Sequence, residues 1–306
     1  MEFLKLLEGV RTPFFNLFFS GITHLGEETV FMVLGLLFFW CINKKQGYYL
    51  LSVGFLGTVL NQFLKLIFRI PRPWVRDPEF TIVESARAGA TGYSFPSGHT
   101  QSAVGVFGSI ARLYKKKVIR ILCFGVCLLV PLSRMYLGVH RPADVGVSFV
   151  IAVILVFALY PVINWAMEGK EHMRIFFGGL LGIAVLYLLF VHFYPFPTDI
   201  DPDHFSSGVK NAYKIMGSVI GLWAGFEVDD RYIRFQTEAP WWGQIGKLVL
   251  GLLLVLVIKS GLKAPFNALL NGNALADGVR YVLITFFASG IWPMTFRLFA
   301  KGEKKR

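Results

Sequence analysis

The chain carries little charge, and little of that charge is negative. Only 16% of the 306 residues are charged, and 19 acidic residues stand against 31 lysines and arginines. Soluble domains of this length carry more charge and do not contain repeated apolar runs of about 20 residues. Because 55% of the residues are hydrophobic and the mean hydropathy is +0.56, the composition excludes a soluble globular fold. It predicts an all-α polytopic membrane protein.

Cysteines and glycosylation sequences are also scarce. The three cysteines, Cys41, Cys123 and Cys127, all fall in predicted helices. Cys123 and Cys127 share a helix face, but no neighbouring histidine or second cysteine pair accompanies them, so packing is favoured over a metal site. No Asn-x-Ser/Thr sequence occurs. This absence favours a bacterial source. Together with the apolar composition, it predicts a multi-pass protein of the bacterial plasma membrane.

The net charge of +12 does not indicate nucleic-acid binding. The basic residues cluster in short segments between apolar runs, where topology rules place them on the cytoplasmic face. If the chain has nine spans, these segments all fall on the same face of the membrane. They lie at residues 44–45, 112–120, 170–174, 231–234 and 301–306.

The apolar runs divide the chain near residue 168. Residues 1–27 contain an apolar stripe broken by Pro13 and a run too short to span, which predicts an interfacial or partly inserted segment. We predict a catalytic membrane domain over residues 1–168 and a C-terminal transmembrane extension of unknown role over residues 169–306. The first three predicted spans lie near residues 28–42, 47–68 and 97–114, and a fourth ends near residue 137. The other five lie near residues 142–167, 175–194, 209–226, 245–262 and 275–299.

A first charged motif begins near the end of the second predicted span. Lys65 and Arg72 are seven residues apart, which is two helical turns, and Pro71 ends or bends the helix between them. The two cations can therefore point into one pocket. The alternative for such a pair is that both side chains extend to the membrane interface.

A second motif, Ser97-Gly98-His99, opens the third span. Ser97 is a good helix cap, and Gly98 lets an anion approach the free backbone N–H groups of the first turn. The alternative is an ordinary helix start with a histidine at the interface.

The third motif is Ser133–Asp144, in which His140 and Asp144 flank Pro142 at a helix N-terminus. Asp144 can accept a hydrogen bond from one ring nitrogen of His140, which leaves the other nitrogen unprotonated and nucleophilic. Arg134 can donate two N–H groups to phosphate oxygens. A structural Asp–His pair is the alternative. Charges there cost several kcal/mol in hydrocarbon, so they are expected at an interface or a wet cavity.

All three motifs fall on the face opposite the basic loops. Their conjunction resembles the phosphatidic acid phosphatase type 2 family, which is related to vanadium haloperoxidases and glucose 6-phosphatase. The segments Lys65–Pro73, Pro96–His99 and Ser133–Asp144 match its three signature motifs. The resemblance covers about residues 1–168 and does not extend to the C-terminal spans.

The resemblance implies a two-step phosphate-ester hydrolysis without metal or cofactor. His140 would attack phosphorus and form a phosphohistidine, with Asp144 orienting the ring. His99 would protonate the leaving oxygen and then activate water. The residues that would hold the phosphate oxygens are Lys65, Arg72, Ser97, Gly98 and Arg134.

The expected substrate is a lipid monophosphate or diphosphate in the bilayer, reached from the extracytoplasmic face. Undecaprenyl diphosphate, phosphatidate, phosphatidylglycerol phosphate and sphingoid phosphates all stay open. Two other functions also stay open. One is a phosphotransferase that passes the phosphoryl group to a lipid or sugar hydroxyl. The other is a non-enzymatic lipid transporter or scaffold, suggested only by the C-terminal spans. Homo-oligomer formation is left open as well.

Overall fold

The computed structural model describes residues 1–300, and those residues form helices without a β-strand. The predicted all-α class is confirmed. Two compact units are present: residues 1–35 with 49–161, and residues 36–48 with the chain from residue 162 onward. The predicted division near residue 168 stays a prediction, and the basic cluster at residues 301–306 lies outside the described part of the chain.

The N-terminal half of the chain supplies eight helices. The helix α3 continues through one π-helical turn, Phe38–Ile42. The bounds are α1 Glu2–Gly9, α2 Pro13–Thr23, α3 Glu28–Leu37, α4 Lys44–Phe68, α5 Pro73–Arg76, α6 Gly98–Leu113, α7 Lys117–Tyr136 and α8 Pro142–Ala166.

The C-terminal half supplies five more helices. They are α9 Lys170–Phe193, α10 Pro202–Val228, α11 Trp241–Gly261, α12 Lys263–Leu269 and α13 Ala274–Phe286. A π-helical turn, Asp229–Ile233, follows α10. Another π-helical turn, Phe287–Ile291, and a 3-10 helix, Trp292–Leu298, follow α13.

Six helical segments of residues 1–300 are long and apolar enough to cross a membrane, or seven if a bent pair counts as one span. The bent pair joins Pro13–Gly26 to Glu28–Ile42 at 49°. The predicted count of nine is therefore not confirmed. One reason is that α6 has 16 residues, about 24 Å of helix against about 30 Å of hydrocarbon. The other is that α10, with 27 residues, is too polar in its N-terminal half.

The predicted helix starts at Ser97 and Pro142 are confirmed, because Ser97 caps α6 and Pro142 is the first residue of α8. The Ser97 hydroxyl accepts a hydrogen bond from the N–H of Thr100 at 3.4 Å. These two helix starts face the same region of the first unit, since the N–H of Ser97 donates to the carbonyl oxygen of Asp144 at 3.0 Å.

The N-terminal helices pack against the end of α7 and the loop that follows α4. Lys5 pairs with Asp77 at 2.9 Å, and Nε of Arg11 donates to the carbonyl oxygen of Tyr136 at 3.1 Å. The hydroxyl of Thr12 accepts from the N–H of Phe15 and caps α2. These contacts order the segment 1–27 against the unit that carries the charged motifs.

In the second unit, α10 and α13 approach closely through small residues. A methyl group added at Gly221 would lie 2.1 Å from Oγ1 of Thr285 and 2.3 Å from the carbonyl oxygen of Val282. Glycine therefore allows the two helix backbones to pack in contact, as small residues do in membrane bundles.

A buried lysine ties α11 to the segment before α4. Lys247 is fully buried, and its Nζ donates to the carbonyl oxygens of Trp40 at 3.0 Å and Thr237 at 2.7 Å. The Trp292 indole donates to the Lys247 carbonyl at 3.1 Å. Buried amines need such partners, so these bonds hold residues 36–48 within the second unit.

We expect Gly221→Ala to lower the thermal midpoint of the purified protein, because the added methyl group meets backbone and must push α10 from α13. The loss should be about 1–3 kcal/mol of unfolding free energy. The matched control is Gly182→Ala in α9, where no atom lies within 4 Å of the added carbon. The control should unfold at the wild-type temperature or slightly above it. Equal midpoints for the two variants would contradict the close packing.

Candidate active site

All eight site residues predicted from the sequence lie in the first unit. They occupy the C-terminal ends of α4 and α7 and the N-terminal ends of α6 and α8, together with the segments joining them. The eight are Lys65, Arg72, Ser97, Gly98, His99, Arg134, His140 and Asp144.

Asp144 lies in the first turn of α8 and is fully buried. Its Oδ2 accepts hydrogen bonds from the Ser94 hydroxyl at 2.5 Å and from the N–H of Arg141 at 2.9 Å. Its Oδ1 accepts from Nη2 of Arg141 at 3.1 Å. A buried carboxylate needs such donors to stay charged. With the backbone bond from Ser97, these contacts join the second and third motifs.

His140 is 2% exposed and lies in the turn between α7 and α8. Its Nδ1 faces Oδ2 of Asp144 at 3.7 Å, beyond the usual hydrogen-bond limit of about 3.2 Å. Its Nε2 lies 3.0 Å from Nη1 of Arg72. Because a guanidinium nitrogen only donates, Nε2 is the acceptor and is unprotonated. The carboxylate thus lies on the Nδ1 side of the ring, as the sequence predicts, without a direct hydrogen bond.

The surroundings also keep the His140 ring neutral. Burial, followed by the nearby charge of Arg72, lowers the pKa of His140 well below its usual value. A lowered histidine pKa means that the neutral ring persists below pH 6.5. The Nε2 lone pair is therefore available at neutral pH and under mildly acidic conditions.

Arg72 is fixed by main-chain oxygens rather than by a carboxylate. Its Nε donates to Gly92 at 3.0 Å, Nη2 to Thr91 at 2.6 Å and Nη1 to Val139 at 3.0 Å. The side chain is 6% exposed. Carbonyl oxygens carry no full charge, so they orient the guanidinium beside His140 without neutralising it.

Two further cations face the same space. Nζ of Lys65 donates to the carbonyl oxygen of Tyr93. Arg134 is 1% exposed, and its Nη1 donates to the hydroxyl of Thr23 at 2.7 Å. Nε and Nη2 of Arg134 are buried and have no hydrogen-bond partner in the part of the chain that the structure describes. Unpaired N–H groups on a buried cation indicate a place for an anion.

The start of α6 adds backbone donors to this space. A methyl group at Gly98 would meet only Oδ1 of Asn61, at 3.8 Å, so the region in front of the helix is open. The first N–H groups of a helix lack intrahelical partners and bind anions readily. The glycine thus gives an anion access to the helix end.

His99 follows in the first turn of α6. Its side chain makes no hydrogen bond to any residue between positions 1 and 300. The charges of Arg134, Arg72 and Lys65 all act on its ring. The imidazole is thus beside the cationic space and free to exchange a proton with a bound group.

The arrangement suits a phosphate group. Three fixed cations, Lys65, Arg72 and Arg134, lie around two imidazoles, with one buried carboxylate behind His140. Their excess positive charge matches a dianion, and the unprotonated Nε2 supplies a nucleophile beside it.

Comparison with known proteins identifies the family. The model of the PAP2 superfamily matches residues 45–168. Phosphatidylglycerophosphatase B of Bacillus subtilis is 31% identical over 161 residues, which are 48% of this chain and 75% of that protein. The chain belongs to the PAP2 superfamily. The predicted family is confirmed, and relatives such as this one are lipid phosphatases by name.

Other PAP2 relatives cover different shares of the chain. Undecaprenyl-diphosphatase BcrC of B. subtilis is 34% identical over 39% of this chain and 58% of its own length. A probable sphingosine-1-phosphate phosphatase of Dictyostelium discoideum is 27% identical over 71% of this chain and 55% of its own length. The chain thus spans little more than half of these two relatives.

A second family model assigns the C-terminal helices, which the sequence motifs leave unassigned. The transmembrane extension of PAP2 superfamily phosphatases matches residues 213–304. The apolar helices and these relatives together make the chain a multi-pass membrane protein of the PAP2 superfamily.

Sequence reasoning missed three residues that hold the predicted ones in place. Ser94 and Arg141 bind the Asp144 carboxylate, and Thr23 binds Arg134. Arg141 lies within the third motif, next to His140, and could have been suspected from its position. Ser94 and Thr23 carry no signal, because an isolated hydroxyl in an apolar sequence has many structural uses.

We expect Thr23→Val to weaken binding of inorganic phosphate about tenfold, because hydrogen bonds to charged groups contribute about 1.5–3 kcal/mol. Without the hydroxyl, Arg134 loses the contact that orients its guanidinium. Thr23→Ser keeps the hydroxyl and should bind phosphate like the wild type. Calorimetric titration of the detergent-purified proteins measures both, with the thermal midpoint as a control for folding. Wild-type affinity in a folded Thr23→Val protein would contradict this role for Thr23.

Proposed function

We propose that this PAP2 protein is a membrane phosphatase that hydrolyses a lipid phosphate or lipid diphosphate through a phosphohistidine on His140. The observation that carries the proposal is the state of the His140 ring. Its Nε2 is unprotonated and adjoins Arg72 at 3.0 Å, and its Nδ1 faces the buried Asp144. A nucleophile, an orienting carboxylate and a phosphate-binding cation thus meet in one place.

In the first step, Nε2 of His140 attacks the phosphorus atom of the substrate. A nitrogen–phosphorus bond forms and the bond from phosphorus to the leaving oxygen breaks. His99 gives a proton to that oxygen, which leaves as a lipid alcohol or, from a diphosphate, as a lipid monophosphate. Asp144 stabilises the positive charge that develops on the His140 ring.

In the second step, water attacks the phosphohistidine. His99, now neutral, takes a proton from that water, the nitrogen–phosphorus bond breaks, and His140 is restored. Inorganic phosphate is released. The same histidine acts as acid and then as base, as the two-step reaction requires.

The cations supply the electrostatic part of catalysis. Lys65, Arg72 and Arg134, with the N–H groups at Ser97 and Gly98, would hold the three non-bridging phosphate oxygens. Phosphoryl transfer spreads charge over these oxygens, so groups fixed before the reaction stabilise the transition state. The reaction assigned to these residues uses no metal or cofactor, and activity is expected to survive chelators.

The proposed substrate is a lipid, because the site lies at the ends of membrane helices. The relatives are named for undecaprenyl diphosphate, phosphatidylglycerol phosphate and sphingosine 1-phosphate, which share only a phosphate on an apolar chain. We therefore propose this class, with undecaprenyl diphosphate and phosphatidylglycerol phosphate as the first substrates to assay. The site is proposed to face the extracytoplasmic side.

Trapping the phosphoenzyme tests the two histidine roles. With a substrate that has a good leaving group, His140→Ala should form no adduct, because the nucleophile is gone. His99→Ala should accumulate an acid-labile, base-stable adduct, because such a leaving group needs little protonation while hydrolysis lacks its base. Rapid quench with radiolabelled phosphate ester, in the presence of chelator, measures the adduct.

The control for this experiment is His192→Ala, which removes an exposed histidine of α9. It should turn over like the wild type. An adduct on His99 in His140→Ala protein would reverse the two roles. Turnover only after addition of a lipid or sugar alcohol, with the phosphoryl group recovered on that alcohol instead of as free phosphate, would replace hydrolysis by phosphotransfer. Intact binding residues without any turnover would favour a lipid transporter.

Thiol labelling in intact cells tests the proposed face. Glu84 is exposed and pairs only with its neighbour Arg87 among the described residues, so Glu84→Cys should leave the site intact. It should react with an impermeant reagent from outside. Lys116→Cys, at the other end of α6, should react only after permeabilisation. The unmodified chain, with Cys41, Cys123 and Cys127, gives the background, and the reverse pattern would overturn the outward orientation.

A further inference from the structure

A second concave surface lies in the first unit, away from the catalytic residues. It is a cavity of about 430 Å³ between α6, α7 and α8, a size typical of small-ligand pockets. Its walls are mostly apolar and include Val104, Gly108, Phe124, Phe149 and Val153. We call this surface the interhelix groove.

Two arginines line one end of the interhelix groove. Arg112 lies 13 positions after His99 in α6, about 20 Å along the helix. Arg120 lies in the first part of α7, and its Nε donates to the carbonyl oxygen of Tyr114 at 3.0 Å. The basic end of the groove is thus at the opposite end of α6 from the catalytic site.

Arg112 is held without a negative partner. Its guanidinium lies 4.6 Å from the ring centre of Phe157 and 4.5 Å from that of Tyr160. Its Nε is buried without a hydrogen-bond partner, and no carboxylate of residues 1–300 pairs with the side chain. Two aromatic rings orient the cation, but its N–H groups stay available.

We propose that the interhelix groove binds an anionic phospholipid from the bilayer. Its phosphate would bind Arg112 and Arg120, and one acyl chain would lie in the apolar part of the groove. A guanidinium matches a phosphate through paired N–H donors, and a basic cluster at a helix end attracts anionic lipids. The lipid would bridge α6, α7 and α8, which carry His99, Arg134 and Asp144. The inference goes beyond the proposed hydrolysis and does not depend on it.

Lipid titration of the full-length protein, followed by native mass spectrometry, tests this inference. Phosphatidylglycerol and phosphatidylcholine with the same acyl chains are the probes. The wild type should bind one phosphatidylglycerol at least fivefold more tightly than phosphatidylcholine. Equal affinities would show that the groove takes any lipid tail and would overturn the proposal.

Two variants separate the two halves of the site. Arg112→Gln should reduce phosphatidylglycerol affinity to that of phosphatidylcholine, while Lys116→Gln removes one charge outside the groove and should have little effect. Gly108→Leu fills the apolar part of the groove and should weaken the binding of both lipids. It is tolerated in principle, since the nearest atom to an added Cβ is Cγ2 of Val156 at 3.4 Å. Wild-type affinity in either groove variant would contradict the assignment.

Binding of phosphatidylglycerol at the catalytic site must be distinguished. Arg72→Gln alters that site and leaves the groove intact, so its preference for phosphatidylglycerol should persist. Loss of the preference in Arg72→Gln, with retention in Arg112→Gln, would place the lipid at the catalytic residues and overturn the inference. Equal wild-type affinities for the two lipids would overturn the inference even if a variant fails to fold.

Discussion

The buried negative charge of Asp144 determines how the site is assembled. A carboxylate without water is stable only when donors surround it. Here the donors come from separate parts of the chain: the Ser94 hydroxyl, and the main chain and guanidinium of Arg141. The Asp144 main chain in turn accepts from Ser97. Satisfying one charge thus brings the start of α6, the start of α8 and the loop after α4 together.

The single carboxylate of Asp144 does not balance the cations of the site, which therefore carries excess positive charge. Arg72 and Arg134 are buried, and neither forms an ion pair with a carboxylate in the described chain. Like charges in a low-dielectric space repel, so a bound dianion would relieve this repulsion. Arg72 also donates to Nε2 of His140. In the proposed mechanism, a phosphate would have to draw this guanidinium onto its oxygens before the His140 nitrogen attacks. Binding the substrate and freeing the nucleophile would then be one event.

The sequence predicted the charged residues of the site better than the residues that hold them in place. Charges in apolar surroundings are costly and stand out, which is why Lys65, Arg72 and Arg134 were found. The contact between Arg134 and Thr23 joins residues 111 positions apart and depends on how α2 packs on α7, which no local pattern records. The count of nine spans is not confirmed, for a related reason. Hydropathy along the sequence registers apolar residues, but the length of each helix, which is 16 residues for α6, comes only from the structure.

Helix ends explain how an apolar scaffold tolerates this site. Lys65 and Arg134 lie in the last turns of α4 and α7, where the negative ends of the helix dipoles stabilise cations. Asp144 lies in the first turn of α8, where the positive end stabilises an anion. The start of α6 supplies free N–H groups to the same space. The charges of Lys65, Arg134 and Asp144 are therefore each placed where their own helix favours them. Because these ends meet, the helices hold together the site that we propose for a charged headgroup.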